Sequence, residues 1–138
     1  TGVQTCALPI LAEILRHCMN SHDFQSEWVV PVPLHRSRER ERGFNQSALI
    51  ARKLGRRVAE GLLVRRKNTS TQTGLSRRQR ADNLAGAFEV LKHPPKSLIV
   101  VDDVYTTGAT LNEIAHVLKR AGVQRVEALT VARVPEVQ

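Results

Sequence analysis

An α/β domain built on a mostly parallel sheet, with helices on both faces, follows from three features of the sequence. Residues 98–101 (LIVV) form an unbroken apolar run rich in β-branched side chains, the pattern of a strand buried on both faces. Downstream, Leu111, Ile114, Ala115 and Leu118 recur at helical spacing, and residues 126–131 (VEALTV) return to a strand pattern. Strand, helix and strand in that order make a crossover unit, which joins parallel strands. Near the other end, residues 28–33 (WVVPVP) read as a first core strand that the prolines bring to a stop. The 138 residues suffice for one core and not for two comfortable ones.

Taken in order, residues 1–10 (TGVQTCALPI) are similar to the translation of a sequencing adapter. They are expected to be non-native and are left out of fold reasoning. Residues 11–27 should be an N-terminal helix and linker, with Leu11, Ile14, Leu15 and Cys18 on the packed side; residues 28–138 should be the domain proper. His17 reads as a solvated or packing histidine, because no metal partner lies at helical spacing. After the first strand comes an arginine-rich stretch, residues 34–46 (LHRSRERERGFNQ), at the carboxyl end of a strand, where open α/β sheets bind ligands. Arginine forks match phosphate oxygens two at a time. An R-E-R-E-R run also forms ion pairs on a solvated helix, and Arg38 and Arg40 are the arginines most readily explained that way.

Residues 46–60 are expected to form one helix, with Ile50, Leu54 and Val58 on its packed face. Arg52, Lys53, Arg56 and Arg57 would form the other face, either a solvated surface or a nucleic-acid contact. Residues 62–64 (LLV) should be the next core strand. Residues 65–83 (RRKNTSTQTGLSRRQRADN) are polar and nearly free of apolar side chains, so they read as a long flexible loop, either a lid or a tether. Residues 87–91 should be a strand, and His93-Pro94-Pro95 a turn into the strand at 98–101.

Charge and cysteine usage narrow the function classes. The formal charge is +8, yet between Arg36 and Arg80 there are fourteen basic residues against three acidic ones; the remainder holds seven basic and ten acidic. Such a segment surrounds a polyanionic small molecule or meets a nucleic-acid backbone. Three phenylalanines, one tryptophan and one tyrosine offer little for base stacking, which counts against single-strand binding by charge alone. Cys6 and Cys18 show no C-x-x-C pattern, and neither a membrane-length apolar run nor a signal peptide is visible. A reduced, cytoplasmic setting is therefore expected.

The chemistry concentrates after the 98–101 strand. Asp102 and Asp103 are followed by Thr106-Thr107-Gly108-Ala109-Thr110 and then by the helix. The first turn of a helix presents unpaired N–H groups and the positive end of the macrodipole, and glycine lets the backbone close on a ligand. Threonine hydroxyls add donors, so this turn suits a phosphate. The carboxylates would repel a bare phosphate but accept hydrogen bonds from sugar hydroxyls, directly or through a divalent metal. Phosphate plus polyol describes a ribose phosphate. Neither a P-loop nor a dinucleotide fingerprint is present.

LIVVDDVYTTGAT resembles the phosphoribosyl-pyrophosphate (PRPP) signature of type I phosphoribosyltransferases. The P-V-P and R-G-F-N stretch also resembles the ComF/GntX competence-protein family, as does the order Thr69, Gln72, Leu75, Arg80, Asn83 and Ala87-Phe88. The likeness covers residues 28–133. It implies a type I phosphoribosyltransferase-like fold with a hood loop, and a PRPP site served by Mg²⁺ that is held indirectly through Asp102 and Asp103. It further implies transfer of the phosphoribosyl group (a pentosyl glycosyltransferase reaction) with release of pyrophosphate. The catalytic candidates are Asp102 and Asp103, with Thr106, Thr107, Gly108, Ala109 and Thr110 around the 5′-phosphate. His35, Arg36, Arg42 and Gly43 would face the pyrophosphate, and Arg77, Arg78 and Arg80 would reach it from the hood. Through the same family the resemblance implies a role in DNA uptake or utilisation. The alternative is a non-catalytic module for single-stranded DNA or a helicase partner. Family members begin with a zinc-binding segment of paired C-x-x-C motifs; this sequence has none, so the natural N-terminus is expected upstream and the zinc dependence of the full protein stays open.

Overall fold

The computed structural model describes residues 2–68, 74–105 and 108–133, with side chains from residue 8 onward except at 104 and 105. In chain order the elements are α1 (Gly2–Ser21), β1 (Trp28–Pro31), α2 (Arg36–Arg42), α3 (Gln46–Ala51), β2 (Arg57–Val58), β3 (Leu63–Arg65), α4 (Arg77–Leu84), β4 (Phe88–Val90), β5 (Ser97–Tyr105), α5 (Ala109–Arg120) and β6 (Arg125–Arg133). Four strands form a parallel sheet in the order β2-β1-β5-β6, and β3 and β4 form a separate antiparallel ribbon.

Alternation along the two central strands decides the layering. Val29, Ile99 and Val101 turn to one side, Val30, Leu98 and Val100 to the other, and all six are at most 1% exposed. Each such burial contributes about 1.5–3 kcal/mol. Two cores result. Against the first face pack Leu8, Leu15 and Met19 of α1 with Ile50 and Ala51 of α3; against the second pack Ile114 and Leu118 of α5. A parallel sheet covered on both faces, as expected from 98–101, is what these side chains require.

Several elements depart from expectation. Residues 34–46 are largely helical: α2 runs over the R-E-R-E-R stretch, with His35 as its N-cap and Gly43 ending it. The expected helix over 46–60 stops at Ala51. The chain tightens through Lys53 N–H to Ile50 O (2.9 Å) and Leu54 N–H to Ala51 O (3.3 Å), and Gly55 then takes φ 75°, which a helix cannot continue. Val58 lies in β2, paired with Val29 of β1. The basic face expected there is largely committed to the fold. Arg56 donates to the Ser26 and Phe24 carbonyls (2.7 and 3.3 Å), Arg52 pairs with Glu60 (3.0 Å), and the Arg57 guanidinium lies 4.3 Å from the Trp28 ring centroid.

Residues 62–64 do not join the main sheet; β3 pairs with β4 instead, in the register Leu63↔Val90 to Arg65↔Phe88. Buried Leu62, Leu63 and Phe88 seat this ribbon on the α5-side core. Within the expected loop at 65–83 stands α4, begun by a capping box in which the Ser76 and Gln79 side chains each accept from the other's backbone N–H. Residues 69–73, with Thr69 and Gln72, lie outside the described residues. α1 starts at Gly2 and contains Pro9, and it buries Leu8, Ala12, Leu15 and Met19 while Ile14 stays 58% exposed. Among the described residues no helix is long and apolar enough to cross a membrane.

Candidate functional site

β5 runs for nine residues, and its pairing with β6 continues past the apolar run: Asp102 stands opposite Thr130. Both aspartates are therefore held by strand geometry rather than by a loop. The Asp103 N–H donates to Asp102 Oδ1 at 2.9 Å. Burial, reinforced by the neighbouring Asp103, pushes the Asp102 carboxyl up to about 7; Arg65 pulls the other way without cancelling this.

The pair opens on a cavity of about 210 Å³ at the carboxyl ends of β1 and β5. Its walls include Val32 and Leu34 after β1, Arg38 and Arg42 of α2, Asn45, Gln46 and Ser47 at the start of α3, Arg65 of β3, and Thr110 at the start of α5. Asn45 organises this corner. Its Oδ1 accepts from the N–H groups of Ser47 and Ala48 (3.0 and 3.4 Å), and its Nδ2 donates to Val32 O (3.1 Å), tying the start of α3 to the end of β1. Burial lowers the pKa of Arg65, Arg38 lowers it further, and Asp102 opposes both. The cavity lining thus brings three arginines together with two carboxylates, and Arg65 and Asp102 partly offset each other.

Of the residues expected around a pyrophosphate, Arg42 lines this cavity, and so does Arg38, which the ion-pair reading had set aside. Arg36 and Gly43 line a different depression, with Glu39 and Arg40 on the outer side of α2. The His35 ring caps α2, its Nδ1 accepting from Ser37 N–H at 3.3 Å. Arg77 lines a groove of about 440 Å³ between α4 and α5, with Ala81, Ala109, Asn112, Glu113 and His116. Arg78 is exposed, and Arg80 Nε is buried with no partner among the described residues. Gly108, at φ 77°, is the N-cap of α5 and brings no side chain to the cap; Ala109 and Thr110 form the first turn, while Thr106 and Thr107 lie outside the described residues. Replacing Gly108 by valine should cost about 1–2 kcal/mol in that left-handed conformation, read as a lowered melting temperature. Asn45, Gln46, Ser47 and Arg65 were not singled out from the sequence. Asn45 carried a signal, since an asparagine before an apolar helical run marks an N-cap.

A model of the phosphoribosyl transferase domain matches residues 10–138 of the chain. The chain belongs to that family. Among its relatives, Competence protein F of Haemophilus influenzae is 36% identical over 128 residues, covering 86% of this chain and 56% of that protein. DNA utilization protein YhgH of Escherichia coli K12 is 37% identical over 130 residues, covering 90% and 57%. The phosphoribosyl transferase domain described here thus spans about half the length of these relatives, and its expected kinship with the ComF group holds. Among solved structures, a hypoxanthine phosphoribosyltransferase from Staphylococcus aureus superposes with TM-score 0.53 at 13% identity, covering 95% of this chain and 75% of that one. Orotate phosphoribosyltransferase from Aeropyrum pernix gives 0.51 at 18% identity, covering 91% and 70%. At such identities the likeness speaks to the fold, which is the expected type I phosphoribosyltransferase-like one.

Proposed function

We propose that this phosphoribosyl transferase domain binds PRPP with Mg²⁺ and transfers its phosphoribosyl group with release of pyrophosphate. The observation that carries the reading is the meeting of Asp102 and Asp103 with Arg38, Arg42, Arg65 and Thr110 around one cavity at the carboxyl ends of the strands. The aspartates face the ribose hydroxyls, the start of α5 takes the 5′-phosphate, and the arginines take the pyrophosphate. In the transfer, an acceptor's lone pair forms a bond to the anomeric carbon while the carbon–oxygen bond to pyrophosphate breaks, the electron pair leaving with the pyrophosphate. Asp102 and Asp103 favour the positive charge that grows on the sugar, and the arginines favour the negative charge that grows on the leaving group.

The donor set fits Mg²⁺. The adjacent carboxylates of Asp102 and Asp103 offer hard oxygens, as suits an ion that takes one or two carboxylates plus substrate phosphates. Bound there, Mg²⁺ would supply positive charge to the phosphate oxygens.

Calorimetry with PRPP and Mg²⁺ should show binding that falls by more than about 100-fold in the Asp102→Asn/Asp103→Asn double variant, since each lost charge-assisted bond is worth about 1.5–3 kcal/mol. An unchanged affinity ends the reading. Turnover is followed as pyrophosphate release with a panel of bases and amines.

A second reading rests on the basic segment. Arg77 and Arg78 stand outside the acid-pair cavity, where a nucleic-acid backbone can reach them, and relatives bear names of competence and DNA utilisation. In this reading the domain is a non-catalytic module that meets single-stranded DNA or a helicase partner. Replacing Arg77, Arg78 and Arg80 by alanine should then reduce the slope of log affinity against log salt for single-stranded DNA by about 2, at roughly 0.7 per phosphate contact. A slope that does not change excludes α4 as the contact.

A further inference from the structure

We propose that the outer edge of β6 is a contact surface for a second copy of this chain, joining two sheets across a two-fold axis at Thr130. The inference is independent of the PRPP reading, since it concerns the side of the sheet and not the carboxyl ends of its strands.

The two edges of the sheet are unlike. β2 closes one side with two residues, too few to template another strand. β6 closes the other with nine, held beside β5 in one register from Ser97↔Arg125 to Tyr105↔Arg133. No proline, glycine or lysine interrupts β6, and the constant register excludes a bulge, so the usual guards of an edge strand are missing. Between its terminal arginines the one charged side chain is Glu127. It lies near one end of the strand, and its Oε1 accepts from Ser26 Oγ at 2.6 Å and from the Ser26 N–H at 3.2 Å. Among the described residues no backbone pairs with the outer side of residues 126–132. A row of peptide groups of this length is a template on which another strand adds.

Charge selects the occupant and its alignment. A closed pair of identical chains is two-fold, and an axis perpendicular to the sheet makes the second strand antiparallel. Directly opposed residues then share a face, so the axis must pass beside a residue and not between two. Centred on Leu129, the pairing sets Arg125 opposite Arg133 of the second copy, twice over. Centred on Thr130, it sets Glu127 opposite Arg133, Ala128 opposite Ala132 and Leu129 opposite Val131, each twice, with Thr130 opposite itself. Opposite charges, apolar pairs and paired threonines stabilise an antiparallel ladder where like charges destabilise it. The layers agree as well: Leu129 and Val131 both belong to the α1-side core, which the pairing continues from one copy into the next. The two four-stranded sheets become one, and the two acid-pair cavities open at its opposite ends.

The test is sedimentation of the 138-residue chain. A monomer–dimer equilibrium is expected at concentrations up to about 100 µM. Ala128 and Ala132 are exposed, so charge can be placed there at little cost to folding. Ala128→Lys/Ala132→Lys should raise the dissociation constant about 10-fold or more, because lysine meets lysine at both places. Ala128→Lys/Ala132→Glu, in which opposite charges meet, should return it to within about threefold of the wild type. Cysteine trapping reads the alignment directly. With Cys6→Ser and Cys18→Ser in the background, Thr130→Cys should form an intermolecular disulfide, since opposed Cα atoms lie about 4.5–5.5 Å apart. Ala128→Cys, on the same face, should not, because its counterpart lies about 13 Å along the ladder. A chain that stays monomeric throughout overturns the proposal, whatever then lies along the edge. So does a dimer indifferent to both charge variants, or one that Ala128→Cys traps and Thr130→Cys does not. Should the lysine pair prevent folding, the cysteine variants decide.

Discussion

Asp102→Asn is expected to make the ligand-free protein more stable at pH 8, by about 1–3 kcal/mol, while it weakens PRPP binding. Burial, with Asp103 alongside, raises the Asp102 carboxyl from its ordinary 3.8 to about 7 in the fold. The sign follows from which state holds more protons. Between pH 3.8 and 7 the folded chain keeps a proton that the unfolded chain has lost, so stability falls as pH rises through this window. Above it the penalty is complete. Three pH units correspond to a ceiling of about 4 kcal/mol, which the partial exposure of the group and its coupling to Asp103 reduce. Asparagine removes the charge yet keeps an Oδ1 that can still accept from the Asp103 N–H. The measurement is a set of urea melts in chelator at pH 8, 6 and 4.5: the advantage of the variant should shrink steadily as pH falls. A gain independent of pH would mean that repacking, not relief of a buried charge, is responsible. The expected result has the form of a stability–function trade-off, in which a fold tolerates an ill-placed charge because a ligand uses it.

The β5–α5 half of the molecule was readable because its signals are local and redundant. An apolar run of β-branched residues, an acidic pair and a helical repeat each point to the same unit, although the strand expected over 98–101 runs on through Asp102 and Asp103 to Tyr105. Less readable were features settled by tertiary contacts. Leu54 and Val58 sit at helical spacing, but Val58 finds a ladder beside Val29, and a two-residue edge strand has no periodicity to detect. α4 is announced by Ser76 and Gln79, yet a helix with Leu84 as its one buried residue shows no apolar stripe. Arg65 was hidden for another reason. Its importance comes from the ribbon that turns it toward α2 and β5, a relation between residues far apart in the chain. The arginines of α2 illustrate the limit of composition: Arg36, Arg38, Arg40 and Arg42 look alike in sequence, and only the helix distributes them, Arg38 and Arg42 one turn apart on the cavity side and Arg36 and Arg40 on the other.

Ile99→Ala should cost about 3–5 kcal/mol, whereas Ile14→Ala should change stability by less than about 0.5 kcal/mol. Both are isoleucines that the apolar pattern assigned to packed positions. Ile99 is 0% exposed on a central strand, enclosed in the core that Met19, Ile50, Leu54 and Leu129 share; Ile14 is 58% exposed on α1. Truncating Ile99 removes the transfer energy of its methyl groups and leaves a void that a sheet paired on both sides cannot close, because Ile99 is held in register with Val29 and Glu127. For a domain of this size the loss corresponds to roughly 10–20 °C in melting temperature. The site feels it too, since Asp102 lies three residues further along the same strand. PRPP at about a hundred times its dissociation constant should return about 2.7 kcal/mol to any variant whose site is intact. Melts of Ile99→Ala with and without PRPP and Mg²⁺ therefore report on the geometry of the acidic pair. Full recovery of that increment means the strand end keeps its form when its middle is hollowed, and a smaller one means that core packing aims the aspartates.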